Sequence, residues 1–548
     1  IVTGGMASTG DADGNTVTIS GGEVTGGIGI YGGFTTEGDA NSNTINVSGG
    51  TLDTDIYGGQ TYDGAADNNT INILAGDLNP EMSLYGGYGT TESKNNTYNM
   101  YTKGQTVADF AYFQNLNFYV PEGTTAGETM LTVTGNAAVD ADTTLAAVQN
   151  STTTDGTTDV SGATVFGGVQ RNTKLNPGEY INLLYNANGI TTDDTSYGTI
   201  DGLDTVTSAG FINYKAIVEK KDANTIVITI PKDEKGTPDT DTKILPEDRE
   251  NAANTIKNAG DIIAGSALHA AEGAWIENHD IEAKFVPYAI VGGYDLHYNT
   301  GSYIDSNGMA ANVGFVRRSQ HEGHIDTIMP FFEYGKSHYA SYLDTGARGD
   351  GRQHYTGGGI LLRRDLDSGL YYEGAVRAGY LKGDFHGMIA KSMSRYDSGA
   401  PYIAAQAGLG KIYTRNRDSY DIYGKFFYTR LGSDSTVIHN SQEDNSYDFD
   451  SINSYRTRLG VRWTKEINKK ESCYAGIGWA YEFDSDARAS WRNFNTPTPT
   501  MEGSSGFLEL GWKSKMTKDN PWAADFNLTG WAEKQRGITY TLGVSRAF

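Results

Sequence analysis

The chain has 548 residues, enough for two or three domains, and a formal net charge of −24. That charge argues against nucleic acid as a partner, because neutralising phosphates requires a basic surface. Cys473 is the only cysteine, which excludes a disulfide framework and a thiolate zinc cluster. The 70 glycines and 35 tyrosines against 12 prolines predict many short strands joined by turns. No run approaches the ~20 apolar residues of a transmembrane helix, although membrane strands, which alternate apolar and polar residues, escape that criterion.

The chain starts at Ile1 inside a repeat, without a basic and apolar leader, so a signal peptide and further repeats are expected upstream. Within residues 1–100, Asn15-Thr-Val-Thr-Ile-Ser-Gly-Gly22, Asn43-Thr-Ile-Asn-Val-Ser-Gly-Gly50, Asn69-Thr-Ile-Asn-Ile-Leu-Ala-Gly76 and Asn96-Thr-Tyr-Asn-Met100 recur. Ile30-Tyr-Gly-Gly33, Ile56-Tyr-Gly-Gly59 and Leu84-Tyr-Gly-Gly87 recur between them, and Thr3-Gly4-Gly5 ends one more copy. A period of about 27 residues predicts stacked coils, each too small to bury its own apolar face. Thr44-Ile45-Asn46-Val47-Ser48 alternates at strand period. Together these features predict a parallel β-helix or solenoid.

Over residues 101–231 the repeat fades but strand-like stretches persist, such as Asn117–Val120, Tyr180–Tyr185 and Thr225–Ile230. This segment is expected to be the irregular end of the solenoid, followed by a linker at 232–245. Residues 246–275 are alanine-rich and open with Pro246-Glu247-Asp248, a helix-start pattern that suits free N–H groups and the positive dipole end. About 26 helical residues span roughly 40 Å, long enough to cross a membrane but too polar to do so in contact with lipid. A water-filled pore suits such a helix.

Residues 282–548 hold about twelve alternating stretches of roughly 10 to 15 residues separated by Gly, Asn, Asp and Ser clusters. In the last, Ile538, Tyr540, Leu542, Val544 and Phe548 share one face, and Thr539, Thr541, Gly543, Ser545 and Ala547 the other. Ala475, Ile477, Trp479, Tyr481 and Phe483 likewise oppose Gly476, Gly478, Ala480 and Glu482. An apolar face with aromatic ends and a small or charged opposite face predicts a transmembrane barrel with a wet lumen. The fold class is therefore all-β: an N-terminal parallel β-solenoid, a pore-spanning α-helix and a C-terminal 12-stranded antiparallel barrel.

Arg458-Leu-Gly-Val-Arg-Trp463, Tyr474-Ala-Gly-Ile-Gly-Trp-Ala-Tyr-Glu-Phe483, Gly506-Phe-Leu-Glu-Leu-Gly-Trp512 and Gly530-Trp-Ala-Glu-Lys-Gln-Arg-Gly537 resemble barrel motifs of the type Va autotransporters. The resemblance covers about Pro246 to Phe548 and is only architectural for the repeats. It implies a passenger exported through the outer membrane of a Gram-negative cell and displayed on its surface. It makes Asn254, Lys257, Asn258, Gly260 and Asp261 part of the pore helix. Tyr540, Leu542, Val544 and Phe548 become the signal read by the barrel-assembly machinery, and Tyr180–Ile230 a region assisting passenger folding. One subclass cuts itself at an Asn-Asn pair on this helix; Ala253-Asn254 stands there instead, so the passenger is expected to stay attached.

No histidine precedes His269, so residues 1–268 cannot build a Ser-His-Asp triad or a Cys-His pair, and they contain no Gly-x-Ser-x-Gly elbow. Carboxylates such as Asp11, Asp13, Glu37 and Asp39 sit in turns, without the spacing of an EF-hand or a calcium-binding repeat. His321 and His324 lie near a strand end without a specific spacing, as rim histidines do. The expectation is a non-enzymatic adhesin or stalk with no cofactor and no metal. Its partners are outer-membrane lipid, the barrel-assembly machinery and a host or neighbouring cell surface, and its barrel closes as a monomer. The alternatives are a porin-like channel plugged by the helix, or display of an enzymatic domain lying upstream.

Overall fold

The computed structural model describes residues 1–91, 93–135, 156–171, 173–273, 285–440, 443–517 and 519–547. They divide into two compact units, Ile1–Ser208 with Ile212–Thr237, and Ala209–Phe211 with Pro238–Phe548.

The first unit is a parallel solenoid. Val2–Thr9, Ile30–Glu37, Ile56–Thr61, Ser83–Tyr85 and Asp109–Ala111 stack as one parallel sheet. Thr16–Thr25, Thr44–Asp53, Thr70–Leu78, Thr97–Met100, Asn115–Val120, Thr164–Val169 and Ser196–Thr199 stack as a second. Register follows the repeat letter by letter: Thr44 pairs with Thr70, Ile45 with Ile71 and Asn46 with Asn72. Ile45, Val47, Ile71 and Ile73 are buried in a core that continues through Leu116, Phe118 and Val165. The stack ends where Tyr180–Tyr185 turns antiparallel to Thr225–Thr229, itself paired with Ile217–Asp222. That hairpin covers a strand edge that would otherwise template further pairing.

Recurring asparagines explain why the repeat is so strict. The backbone N–H of Asn15 donates to Asn43 Oδ1 (2.8 Å), that of Asn43 to Asn69 Oδ1 (2.9 Å), and that of Asn69 to Asn96 Oδ1 (2.8 Å). Asn43, Asn69 and Asn96 are buried, so each amide replaces the water its neighbour's backbone would lack. The paired glycines make room for this ladder: a Cβ on Gly59 would lie 2.7 Å from Asn69 Nδ2 and 2.2 Å from the Ala40 carbonyl. Tyr31, Tyr57 and Tyr85 form a second ladder, with ring centroids 5.0 and 4.8 Å apart.

Twelve strands of the second unit form a closed antiparallel barrel. They are β1 (Val286–Asn299), β2 (Tyr303–His321), β3 (His324–Tyr342), β4 (Arg348–Leu366), β5 (Leu370–Ile389) and β6 (Ser392–Arg415). The remainder are β7 (Asp418–Leu431), β8 (Ile452–Asn468), β9 (Glu471–Asp484), β10 (Gly503–Ser514), β11 (Trp522–Glu533) and β12 (Gln535–Arg546). Several run well past the 10 to 15 residues expected from the alternation, because hairpins continue the pattern beyond the hydrocarbon on the side of longer loops. β1 closes the circle on β12, from Tyr288 opposite Ser545 to Tyr298 opposite Gln535.

Alternation sorts the wall. Phe332, Leu409, Ile477, Leu508 and Leu510 stand outward, each more than half exposed. A continuous apolar band of this kind far exceeds what a water-soluble monomer leaves uncovered. Trp463, Tyr413 and Trp522 edge it at one end, Tyr303, Tyr380 and Phe483 at the other. Inside runs α1 (Ile244–Ile262), continued by a wide π turn at Ile263–Ala267 and by α2 (Leu268–Gly273). The helix begins two residues before Pro246, which occupies its first turn, where a missing N–H breaks no helical bond. Residues 274 and 275 lie outside the described residues.

Two outcomes follow for the solenoid. Asn69→Ala strands the buried N–H of Asn43 and should lower the solenoid's unfolding free energy in urea by about 1–3 kcal/mol, whereas Thr18→Ala, on an exposed position, should change it by less than about 0.5 kcal/mol. Burial, with Tyr62 and Asp55 adding, pushes the Tyr31 phenol up to about 12. Burial also raises Tyr57, with Tyr85 adding, and Tyr85, with Asp109 adding. Folded phenols stay neutral where unfolded ones ionise, so this stability is intact below about pH 10 and falls as the pH rises through 12. Circular dichroism against pH should show alkaline unfolding in that window, with Tyr57→Phe moving the midpoint upward.

Candidate functional site

The barrel lumen and its helix form the site. Ile244 to Gly260 of α1 is buried on every side, including Glu247, Asp248, Arg249 and Glu250. An unpaired buried charge costs several kcal/mol, so these side chains require partners on the wall.

The wall supplies most of them. Glu247 accepts from Thr300 Oγ1 and Ser302 Oγ at 2.6 Å each, and from Ser341 Oγ. Asp248 accepts from Tyr339 OH (2.6 Å), Gln353 Nε2 (2.8 Å) and Tyr396 OH (2.9 Å). Arg249 donates to the carbonyl of Gly432. Lys257 lies 3.4 Å from Glu250 and 3.3 Å from Glu482, with Ser485 Oγ bridging at 2.8 Å from Glu250. Asn258 donates to Tyr298 OH (2.9 Å).

Arg377 on β5 pairs with Glu333 on β3 (3.0 Å) and donates to the Ile256 carbonyl. Gly260 leaves room for that guanidinium, since a Cβ there would lie 3.1 Å from Arg377 Nη2. Asp261 sits between Arg456 and Arg458 of β8, the latter at 2.9 Å. Lys425 on β7 bonds Glu373 (2.7 Å) and the Ala264 carbonyl (2.6 Å) inside the π turn, a side chain drawing a carbonyl out of the helical ladder. Further along, Arg462 donates to His269 Nε2 (2.7 Å), which assigns the ring proton to Nδ1, 3.1 Å from Asp525 Oδ2. Glu272 closes the series against Lys513 (2.6 Å).

Among the described residues the lumen keeps a space of about 420 Å³ at the α2 end, lined by Glu272, Arg318, Arg363, Asp421, Arg462 and Lys513, and a smaller one nearer its middle. A cavity of about 80 Å³ lies beside the π turn, lined by Asn258, Asp261, Gly265, Gly292, Tyr294 and Thr541. That volume holds a few waters and no second polypeptide. Beside α1 the described lumen is narrowed to this small cavity.

The residues singled out from the sequence fall in two places. Lys257, Asn258, Gly260 and Asp261 meet the wall as described, while Asn254 is buried with neither amide atom hydrogen-bonded, beside a cavity of about 20 Å³. Tyr540, Leu542 and Val544 stand on the outer face of β12, 40 to 55 % exposed, and Phe548 lies outside the described residues. Sequence reasoning missed Glu247, Asp248, Arg249 and Glu250, and the wall residues Glu333, Arg377, Lys425, Arg456 and Glu482. One signal was present: each wall charge is out of phase with the apolar face of its strand.

Removing one member of a buried pair is the sharpest test of this packing. Asp261→Ala leaves Arg456 and Arg458 with no carboxylate from the helix and should destabilise the barrel by roughly 3–5 kcal/mol. The loss would register as a lower temperature at which the detergent-folded barrel shifts to its unfolded mobility on a gel; Asp261→Glu should recover most of it.

Residues 291–527 match the family described as "Autotransporter beta-domain". No curated protein matches the chain significantly. Among solved structures, the translocator domain of the autotransporter NalP from Neisseria meningitidis is similar at 13% identity and TM-score 0.42, over 54% of this chain and 99% of that one. The β domain of the Bordetella autotransporter Brka is similar at 14% identity and TM-score 0.39, over 48% and 99%. The transport unit of the autotransporter AIDA-I from Escherichia coli is similar at 14% identity and TM-score 0.38, over 52% and 97%. With the matched residues spanning β1 to β11 of a closed, helix-threaded barrel, the second unit of this chain is an autotransporter β-domain, an outer-membrane barrel that secretes the N-terminal solenoid as its passenger.

Proposed function

We propose that the secreted solenoid is a surface scaffold, an adhesin or a stalk, that acts by binding a host or neighbouring cell surface rather than by catalysis. One observation carries this reading: the turn carboxylates of Asp11, Asp39 and Asp67 are spent within the stack. Asp11 accepts the backbone N–H of Asp39 (2.9 Å), Asp39 that of Ala65 (2.8 Å) and Asp67 that of Lys94 (2.7 Å). An acid occupied by the next coil is poorly placed as a general acid or as a calcium ligand. Such turns do leave a regular, repeated outer surface, which suits multivalent attachment.

The passenger stays joined to its barrel in this proposal. Ala253 precedes Asn254 in place of a second asparagine, and the helix that joins the two parts is tied to the wall by Glu247, Lys257 and Asp261. The barrel works as a monomer in outer-membrane lipid. Tyr540, Leu542, Val544 and Phe548 act as the strand signal that the barrel-assembly machinery reads.

Intact cells provide the test. External protease should remove residues 1–230 while leaving the barrel, and antibodies to the solenoid and to the barrel should mark one band before treatment. A shielded solenoid would end the display reading, and two separate bands would end the claim of attachment.

A further inference from the structure

We propose that the turn between β2 and β3 is a binding site for one borderline divalent cation of the Zn²⁺ class, held by His321, His324 and Asp326. The backbone register brings these three together. His321 and His324 are direct partners across the two-residue turn Glu322-Gly323, where Gly323 takes the positive φ of 86° that tight hairpins need. Asp326 lies two residues beyond His324, hence on the same face of β3. The imidazole rings stand 5.0 Å apart. His324 Nε2 is 3.6 Å and His321 Nε2 3.8 Å from Asp326 Oδ2, and one donor atom from each residue falls within 4.8 Å of the others.

Metal bonds of about 2.0–2.2 Å in a tetrahedral site place ligand atoms roughly 3.3–3.6 Å apart. The three donors are therefore within about 1 Å of ligating distance, a shift that side-chain rotation at an exposed turn supplies. Arg364 donates to both oxygens of Asp326, Nε to Oδ1 at 2.6 Å and Nη2 to Oδ2 at 2.8 Å. Outer-shell donors orient ligating carboxylates in this way, though the guanidinium charge also weakens the attraction for a cation. Two imidazoles and one carboxylate favour Zn²⁺, Cu²⁺ or Ni²⁺ over Ca²⁺ or Mg²⁺, with water at the open position.

The turn is also in the right place to be filled. β2 starts at Tyr303, beside the Ser302 contact with Glu247 near the passenger end of α1, and runs to His321 at the opposite mouth. In a barrel that secretes its passenger outward, that mouth faces the periplasm. A bound cation there would staple the β2–β3 hairpin across its turn.

The test uses the full chain, folded in detergent and titrated with Zn²⁺ alone by calorimetry, with Mg²⁺ as the control. One saturable equivalent is expected for Zn²⁺ and none for Mg²⁺. His321→Ala, His324→Ala and Asp326→Asn should each weaken it by at least about tenfold, while the gel shift on heating shows that each variant is folded. Saturable binding that persists unchanged in the double variant H321A/H324A would place the ion elsewhere and overturn the proposal. Absence of a saturable equivalent in the unaltered chain would also overturn it.

Discussion

Hydrocarbon offers a peptide group no hydrogen bond, and the second unit of this chain is organised around that fact. A sheet in lipid must close, and the β1–β12 seam closes it, residue by residue from Tyr288 to Tyr298. Closure imposes a lumen, and the strict alternation of side chains then gives every strand one face for lipid and one for that lumen. Leu542 and Val544 go outward while Thr541 and Ser545 go inward for no other reason than their parity. A pore wide enough to be lined by twelve strands is too wide for wall side chains alone to fill, so something else must occupy it.

The occupant is a helix whose charges would be prohibitive in lipid and are acceptable here only because the wall mirrors them. Replacing buried ion pairs with apolar groups of similar volume is often neutral or stabilising, so such pairs are weak evidence for net stability. What they account for is position. Glu247 has acceptor sites filled only where Thr300, Ser302 and Ser341 converge, and Asp261 only between Arg456 and Arg458. Sliding the helix by one turn, about 5.4 Å, would leave both carboxylates buried without their partners. A smooth apolar helix would fill the same volume without a preferred depth.

The solenoid meets the same demand for backbone satisfaction in water, one coil at a time. Asn43, Asn69 and Asn96 pass a hydrogen bond from each coil to the next, so a coil is complete once its neighbour is. That locality made residues 1–100 legible from sequence alone: equal structure at equal spacing demanded equal letters. It also explains why residues 101–231 were harder to read. Asn115–Val120 and Thr164–Val169 extend the same parallel sheet in register, although they lie farther apart in sequence than successive coils of the regular repeat. A stacked coil needs a buried apolar residue and a backbone partner, and Phe118 or Val165 meets the first requirement as well as isoleucine does. Fixed spacing is therefore sufficient evidence of a coil but not a necessary one.

Within the lumen, sequence and structure part company for a related reason. The helix could be recognised as too polar for lipid, and the strands could be sorted into faces, because both judgements need only local periodicity. Which helix charge meets which wall charge is set by barrel closure and by the depth of the helix. Arg377 therefore reaches the Ile256 carbonyl from more than a hundred residues away, with no trace in either local pattern. Asn254 carries the lesson in the other direction. It sits in the stretch that the helix sequence singled out, yet its amide finds no partner while Glu250 and Lys257, one turn to either side, do. Helical position alone cannot distinguish these residues; the face of the wall that each one meets can, and that face exists only once twelve strands have closed around it.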